Sequence, residues 1–163
     1  MKTRSPFQYP IVTEAIIVVV IIAVLAATVL IVLNPFELSK KRRDTIRQSD
    51  LENIIAAIDR AVVDSFTGTA SALFVGDVGS SLDKDASRGD GYGWVKVNLQ
   101  AYLPQLPVDP INDATFHYEF GYRAGRFEIR GRLESDERQF ALYKNDGGDD
   151  LDWMEFGTDL TIL

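Results

Sequence analysis

Residues 13–35 read TEAIIVVVIIAVLAATVLIVLNP, and within them residues 15–33 carry no charge, with Thr28 as the one polar side chain. Wound as a helix, these 19 residues cover roughly 28 Å, close to the hydrocarbon thickness of a bilayer. A cleaved secretory signal has a shorter apolar stretch that ends at small residues, whereas residues 29–33 carry this run past Ala26 and Ala27. The segment therefore predicts a retained membrane-spanning helix. Glu14 stands at its edge, where a carboxylate must stay near the interface or find a cation.

Beyond the span, Pro35 has no amide hydrogen and crowds the preceding turn, which predicts a kink or a short unwound stretch. Residues 40–63, KKRRDTIRQSDLENIIAAIDRAVV, then place Leu51, Ile54, Ile55, Ile58 and Val62 at three- and four-residue steps, an amphipathic helix whose apolar stripe needs a partner. Were the two helical halves nearly continuous, residues 15–63 would extend on the order of 75 Å. That exceeds what the remaining roughly 100 residues need for one core, and the excess suits a shaft built from many copies. Lys40, Lys41, Arg42, Arg43 and Arg47 form a basic knot. It reads either as a solvated turn at the lipid headgroups or as a partner for acids on a neighbouring copy. Lys2 and Arg4 precede the span, and a count of positive charges alone places the C-terminal side in the cytoplasm.

The chain of 163 residues has a net charge of -7, which argues against nucleic acid as a partner. It contains no cysteine, so disulfides and thiolate metal sites are excluded. Residues 65–93 are rich in Ser, Gly and Asp and read as a long loop; the RGD triplet at Arg88–Asp90 within it is too short to carry an adhesion reading. Next, Phe116, Tyr118, Phe120 and Tyr122 alternate as a strand. Arg123, Ala124 and Gly125 make a tight connection into a second strand, where Phe127, Ile129 and Leu133 alternate with a wet face of Arg126, Glu128, Arg130 and Arg132. Residues 138–143 are a candidate third strand. One apolar sheet face opposite one helix stripe predicts an α+β head.

Catalytic chemistry is sparse. His117 is the single histidine and reads as a surface or edge residue, and no glycine-rich phosphate loop is present. The densest constellation is NDGGDDLDWMEF at 145–156, where Asp146, Asp149, Asp150 and Asp152 lie beside two glycines. Hard oxygen ligands of this kind suit calcium, and the same residues also make an acidic solvated turn.

Taken together, these segments resemble the bacterial type IV pilins and the major pseudopilins of type II secretion. The polar leader followed by residues 13–35 and 40–63 is similar to a prepilin start; LPVDPINDATFHYEFGY at 106–122 and DGGDDLDWMEFGTDL at 146–160 are similar to the strand segment and calcium loop of major pseudopilins. The resemblance implies a leader-like segment at 1–9, an apolar assembly helix at 10–34, its amphipathic continuation at 35–65 and a head at 66–163. It implies that Glu14 is the assembly glutamate and that processing falls between Tyr9 and Pro10, where the family has a glycine before the cut. It implies a single-pass inner-membrane protein with an extracytoplasmic head and a cell-surface filament after assembly. The implied partners are copies of itself, the pilus or secretion machinery, a prepilin peptidase and membrane lipid, with a structural calcium ion and no enzymatic activity. The expectations are thus a pilus-like structural subunit, a secretion pseudopilin, or a membrane-tethered binding module that does not polymerise.

Overall fold

The computed structural model describes residues 11–65, 73–143 and 146–163. Helix α1 spans Ile11–Leu33 and α2 spans Pro35–Asp64. The expected break falls at Asn34, whose φ of 36° lies in the left-handed region that asparagine tolerates. Its side-chain Oδ1 accepts from Glu37 N at 3.5 Å, so Asn34 caps α2, and Pro35 takes the first helical position, where a missing N–H costs nothing. The chain divides into two compact units, Met1–Leu38 and Ser39–Leu163.

In the first unit α1 is apolar on every side. Its large aliphatic side chains range from 50% exposed at Val18 to 84% at Ile11. Thr28, the one polar side chain of residues 15–33, returns its hydroxyl to Val24 O at 2.8 Å and is satisfied within the helix itself. By length and composition this is a helix able to cross a membrane.

The second unit is α+β. Its four strands, β1 (Val78–Ser80), β2 (Tyr118–Arg123), β3 (Arg126–Gly131) and β4 (Met154–Gly157), form one antiparallel sheet in sequence order. The β2–β3 hairpin turns on Ala124 (φ 52°) and Gly125 (φ 87°), the paired positive φ angles of a tight two-residue turn. Tyr118, Phe120 and Tyr122 share a face with Phe127 and Ile129 across the register, and with Met154 and Phe156 on β4. That face joins one core with Leu51, Ile54, Ala57, Ile58 and Ala61 of α2. Ile55 and Val62, expected in the stripe, are only partly buried; Ala57 and Ala61 take the centre instead.

Four expectations are corrected. Residues 138–143 are not a strand: α3 spans Asp136–Tyr143, started by Ser135, whose carbonyl accepts from Arg138 N and Gln139 N. Phe116 and Leu133 lie outside the strands, which begin at Tyr118 and end at Gly131. The loop at 65–93 holds β1, and its described part is stitched to residues 94–106 by backbone bonds, with Trp94 fully buried. Finally, the second sheet face is not wet. Glu128 and Glu155 are 0% and 1% exposed, and Ile162 and Leu163 lie over Gly121, where an added Cβ would meet each of them at 2.8 Å.

Candidate functional site

Glu14 lies in the first turn of α1 and is exposed among apolar neighbours. A carboxylate is favoured there by the helix dipole. Tyr9, Pro10 and the rest of the leader-like segment lie outside the described residues.

Three of the five residues of the basic knot, Lys41, Arg43 and Arg47, pair with acids of their own chain. Arg47 is fully buried, and its guanidinium grips Asp109 with two bonds, Nε to Oδ2 at 2.6 Å and Nη2 to Oδ1 at 2.9 Å. Nη1 donates to Asp44 Oδ1 at 2.9 Å and to Glu134 Oε1 at 2.6 Å, and the Phe116 ring lies 5.0 Å from Cζ. Arg43 makes its own fork on Glu134 at 2.7 and 2.6 Å, and Lys41 pairs with Glu137. The acids are shared with the backbone. Asp44 accepts from Glu134 N and Ser135 N, and Asp109 accepts from Ile111 N and Asn112 N. Burial alone would lower the Arg47 pKa, but the bonds from Asp109 and Glu134 hold it raised, so the group stays charged. Glu134 is held below the usual carboxylate range by Arg43 first, then by Arg47, against its own burial. The cluster bolts α2 to the turn at Asp109 and to the start of α3.

A second polar cluster lies on the outer sheet face. His117 precedes β2, with Nδ1 3.1 Å from Asp113 O and Nε2 3.1 Å from Glu119 Oε1, and its ring stands edge-on to Trp153. Arg130 reaches Glu119 Oε2 at 2.7 Å, while Arg130 and Arg132 both lie over the Trp153 ring. Both ring nitrogens of His117 are therefore engaged, and its side chain is only 12% exposed, more enclosed than an edge residue. The RGD triplet closes on itself, Arg88 Nη2 meeting Asp90 Oδ2 at 2.5 Å.

The acidic loop is ordered by its own carboxylates. Asp146 accepts from Gly148 N at 3.0 Å and from Glu155 N at 3.1 Å, Asp150 Oδ1 accepts from Asp152 N, and Asp149 and Asp152 are exposed. Next to the loop are two buried acids, Glu155 and Glu128, the latter expected on a wet strand face. Glu155 Oε2 accepts from Asp150 N at 3.2 Å, and Glu128 Oε2 accepts from Ile162 N and Leu163 N. The Oε1 atom of each is buried with no hydrogen-bond partner. Burial, then the neighbouring Glu128, pushes the Glu155 carboxyl up to about 7. Two neighbouring buried carboxyls of this kind are satisfied either by a proton held between them or by a hard cation such as calcium. Among the described residues no three acidic or imidazole groups gather as a metal-holding set.

Asp44, Asp109, Glu134, Glu128 and Glu155 are the residues that sequence reasoning missed. The only advance signal was the Pro-Val-Asp-Pro turn around Asp109. No protein-family model, no curated protein and no solved structure matches this chain.

Proposed function

We propose that this chain is a type IV pilin-like structural subunit, held in the cytoplasmic membrane by α1 and assembling with copies of itself into a filament with the second unit exposed outside. The observation that carries the reading is the contrast between the two units. The second closes a core of its own, whereas α1 leaves every large described aliphatic side chain at least half exposed. At roughly 1.5–3 kcal/mol for each such side chain, leaving them in water costs tens of kcal/mol, so α1 requires lipid or other apolar helices around it. A membrane supplies the first and a bundle of α1 copies the second. Such head-to-tail contacts between copies do not close on themselves, which yields filaments. Glu14 in this reading pairs with a cation of a neighbouring copy as the helix leaves lipid. A secretion pseudopilin uses the same parts in a shorter assembly.

Electron microscopy of material sheared from cells tests this directly. Filaments labelled by an antibody to the second unit are expected, and membrane-bound monomers with no filaments would leave the tethered, non-polymerising module as the function. That second reading is favoured by one feature, Tyr9 in place of the glycine that precedes the family's processing site.

A structural calcium ion beside the 146–152 loop belongs to the same reading. Its support is the pair of buried, unpartnered carboxylate oxygens of Glu128 and Glu155. A divalent charge there would neutralise two neighbouring acids. Calcium is expected to raise the melting temperature of the full chain in detergent over that in chelator, and Glu155→Gln is expected to abolish the difference. Equal melting with and without calcium would remove the ion from the proposal.

A further inference from the structure

Beyond its first turn, where Glu37 sits as the dipole favours, α2 groups its charges by sign: Lys40, Lys41, Arg42, Arg43 and Arg47, interrupted by Asp44, precede Asp50, Glu52, Asp59 and Asp64, interrupted by Arg60, and the last turn holds no base. Contacts inside the second unit account for most of these groups. Lys41, Arg43 and Arg47 have acidic partners; Asp50 accepts from Tyr118, Glu52 from Gln48 and Asp64 from Tyr102. Arg42, Asp59 and Arg60 are exposed and join no ion pair among the described residues.

The outer face of the helix has a second regularity. Ile46, Ser49, Asn53, Ala56, Arg60 and Val63 are all exposed and recur at alternating steps of three and four, the seven-residue period of a seam between two helices. Ile46 and Val63 are 41% and 63% exposed, while Ser49 and Ala56 are small enough for close approach. Beside this face runs a groove of about 530 Å³ between Asn53, Ala56 and Arg60 on one side and Leu106 and Pro107 on the other.

We propose that this face receives α2 of a second copy, parallel and shifted by two seven-residue repeats, so that Arg42 of the incoming copy meets Asp59. The inference rests on the assembly reading above and names the contact that would hold neighbouring copies in step. A shift of whole repeats keeps the seam in register, and two repeats correspond to about 21 Å along the axis. It sets Arg42 over Ala56, one turn before Asp59, and brings an exposed base to an exposed acid that has no partner within its own chain among the described residues. Because the shift is heterologous, each copy offers one end of α2 and receives the other.

The absence of native cysteine makes the register testable in the full-length, membrane-expressed chain. With the proposed shift, Ser49 of one copy faces Val63 of the next. The double variant Ser49→Cys/Val63→Cys is expected to oxidise into a ladder of covalent multimers, and neither single variant is. Adding Arg42→Glu is expected to cut the ladder at least about fivefold, and adding Asp59→Arg as well to restore it to within about twofold, as for a complementary interfacial pair. Dimers from the single Ser49→Cys variant would show an in-register or antiparallel contact and overturn the proposal. Filaments by microscopy with no ladder would overturn this contact and leave the assembly reading standing, whereas neither filaments nor ladder would overturn both. Unchanged ladders in Arg42→Glu, with loss of binding to anionic vesicles, would assign Arg42 to lipid headgroups and overturn the pairing.

Discussion

Replacing Arg47 with alanine removes the one cation that three acids share. Four charge-assisted hydrogen bonds disappear from a side chain that is fully buried, two to Asp109 and one each to Asp44 and Glu134. At about 1.5–3 kcal/mol for each bond to a charged group, a naive sum of about 6–12 kcal/mol would amount to most of what a domain of this size holds in net stability. The acids are not left bare, however. Asp44 and Asp109 each retain two backbone amides and Glu134 retains Arg43, so the expected loss is about 3–5 kcal/mol, that of breaking a buried pair from one side. For a unit of this length that lowers the melting temperature by roughly 10–20 °C. Arg47→Lys keeps the charge but loses the planar fork on Asp109, and should give up about half as much. Urea unfolding of the full chain in detergent, followed by tryptophan fluorescence, reads the change through Trp94, which is fully buried against Tyr118. An Arg47→Ala chain within about 1 kcal/mol of wild type, at unchanged slope, would refute the view that this cluster bolts α2 in place.

Three further outcomes follow from the same geometry. Ala124→Gly should stabilise the second unit by about 0.5–1 kcal/mol in the same urea assay, because alanine at φ 52° bears a steric cost that glycine does not. Gly121→Val should destabilise it by about 1–3 kcal/mol, since the new side chain occupies the place of Ile162 and Leu163 on the outer sheet face; faster proteolysis of the C-terminal segment would report the displacement. For pH, Glu134 has a folded-state pKa lowered by Arg43, so its contribution is complete above the ordinary glutamate range and is lost as pH falls through the lowered value. Stability measured across that acid range should fall less steeply in Glu134→Gln than in wild type, and equal slopes would remove Glu134 from the linkage.

The parts of this fold legible in the sequence are those fixed by local pattern. An uncharged apolar run gave α1, three-four spacing gave α2, and alternation with an Ala-Gly turn gave the β2–β3 hairpin. Residues 138–143 misled because a short continuous apolar run, 140–143, fits either period, and what decides for helix is the Ser135 start, held by Asp44 from far away in the chain. β1 is three residues long inside a Gly- and Ser-rich stretch, and β4 lies in the same run as the acidic loop, so neither interrupts its surroundings. The burial of Glu128 was invisible because its cover, Ile162 and Leu163, comes from 34 and 35 residues downstream. The basic knot misled most. Arg47 finds Asp109 and Glu134 at separations of 62 and 87 residues, and no local charge pattern encodes such partners.

Those separations also set a clock. A ribosome adding about 5–20 residues per second needs roughly 4–17 s to travel from Arg47 to Glu134. Throughout that interval the newly made α2 displays Leu51, Ile54 and Ile58 without the sheet that later covers them, and three basic side chains without their acids. The bolt closes only when Glu134 has been made. Until then, the basic turn and the apolar stripe together describe a segment suited to lying on an anionic membrane surface, so synthesis beside the bilayer would shelter the nascent helix until its sheet arrives.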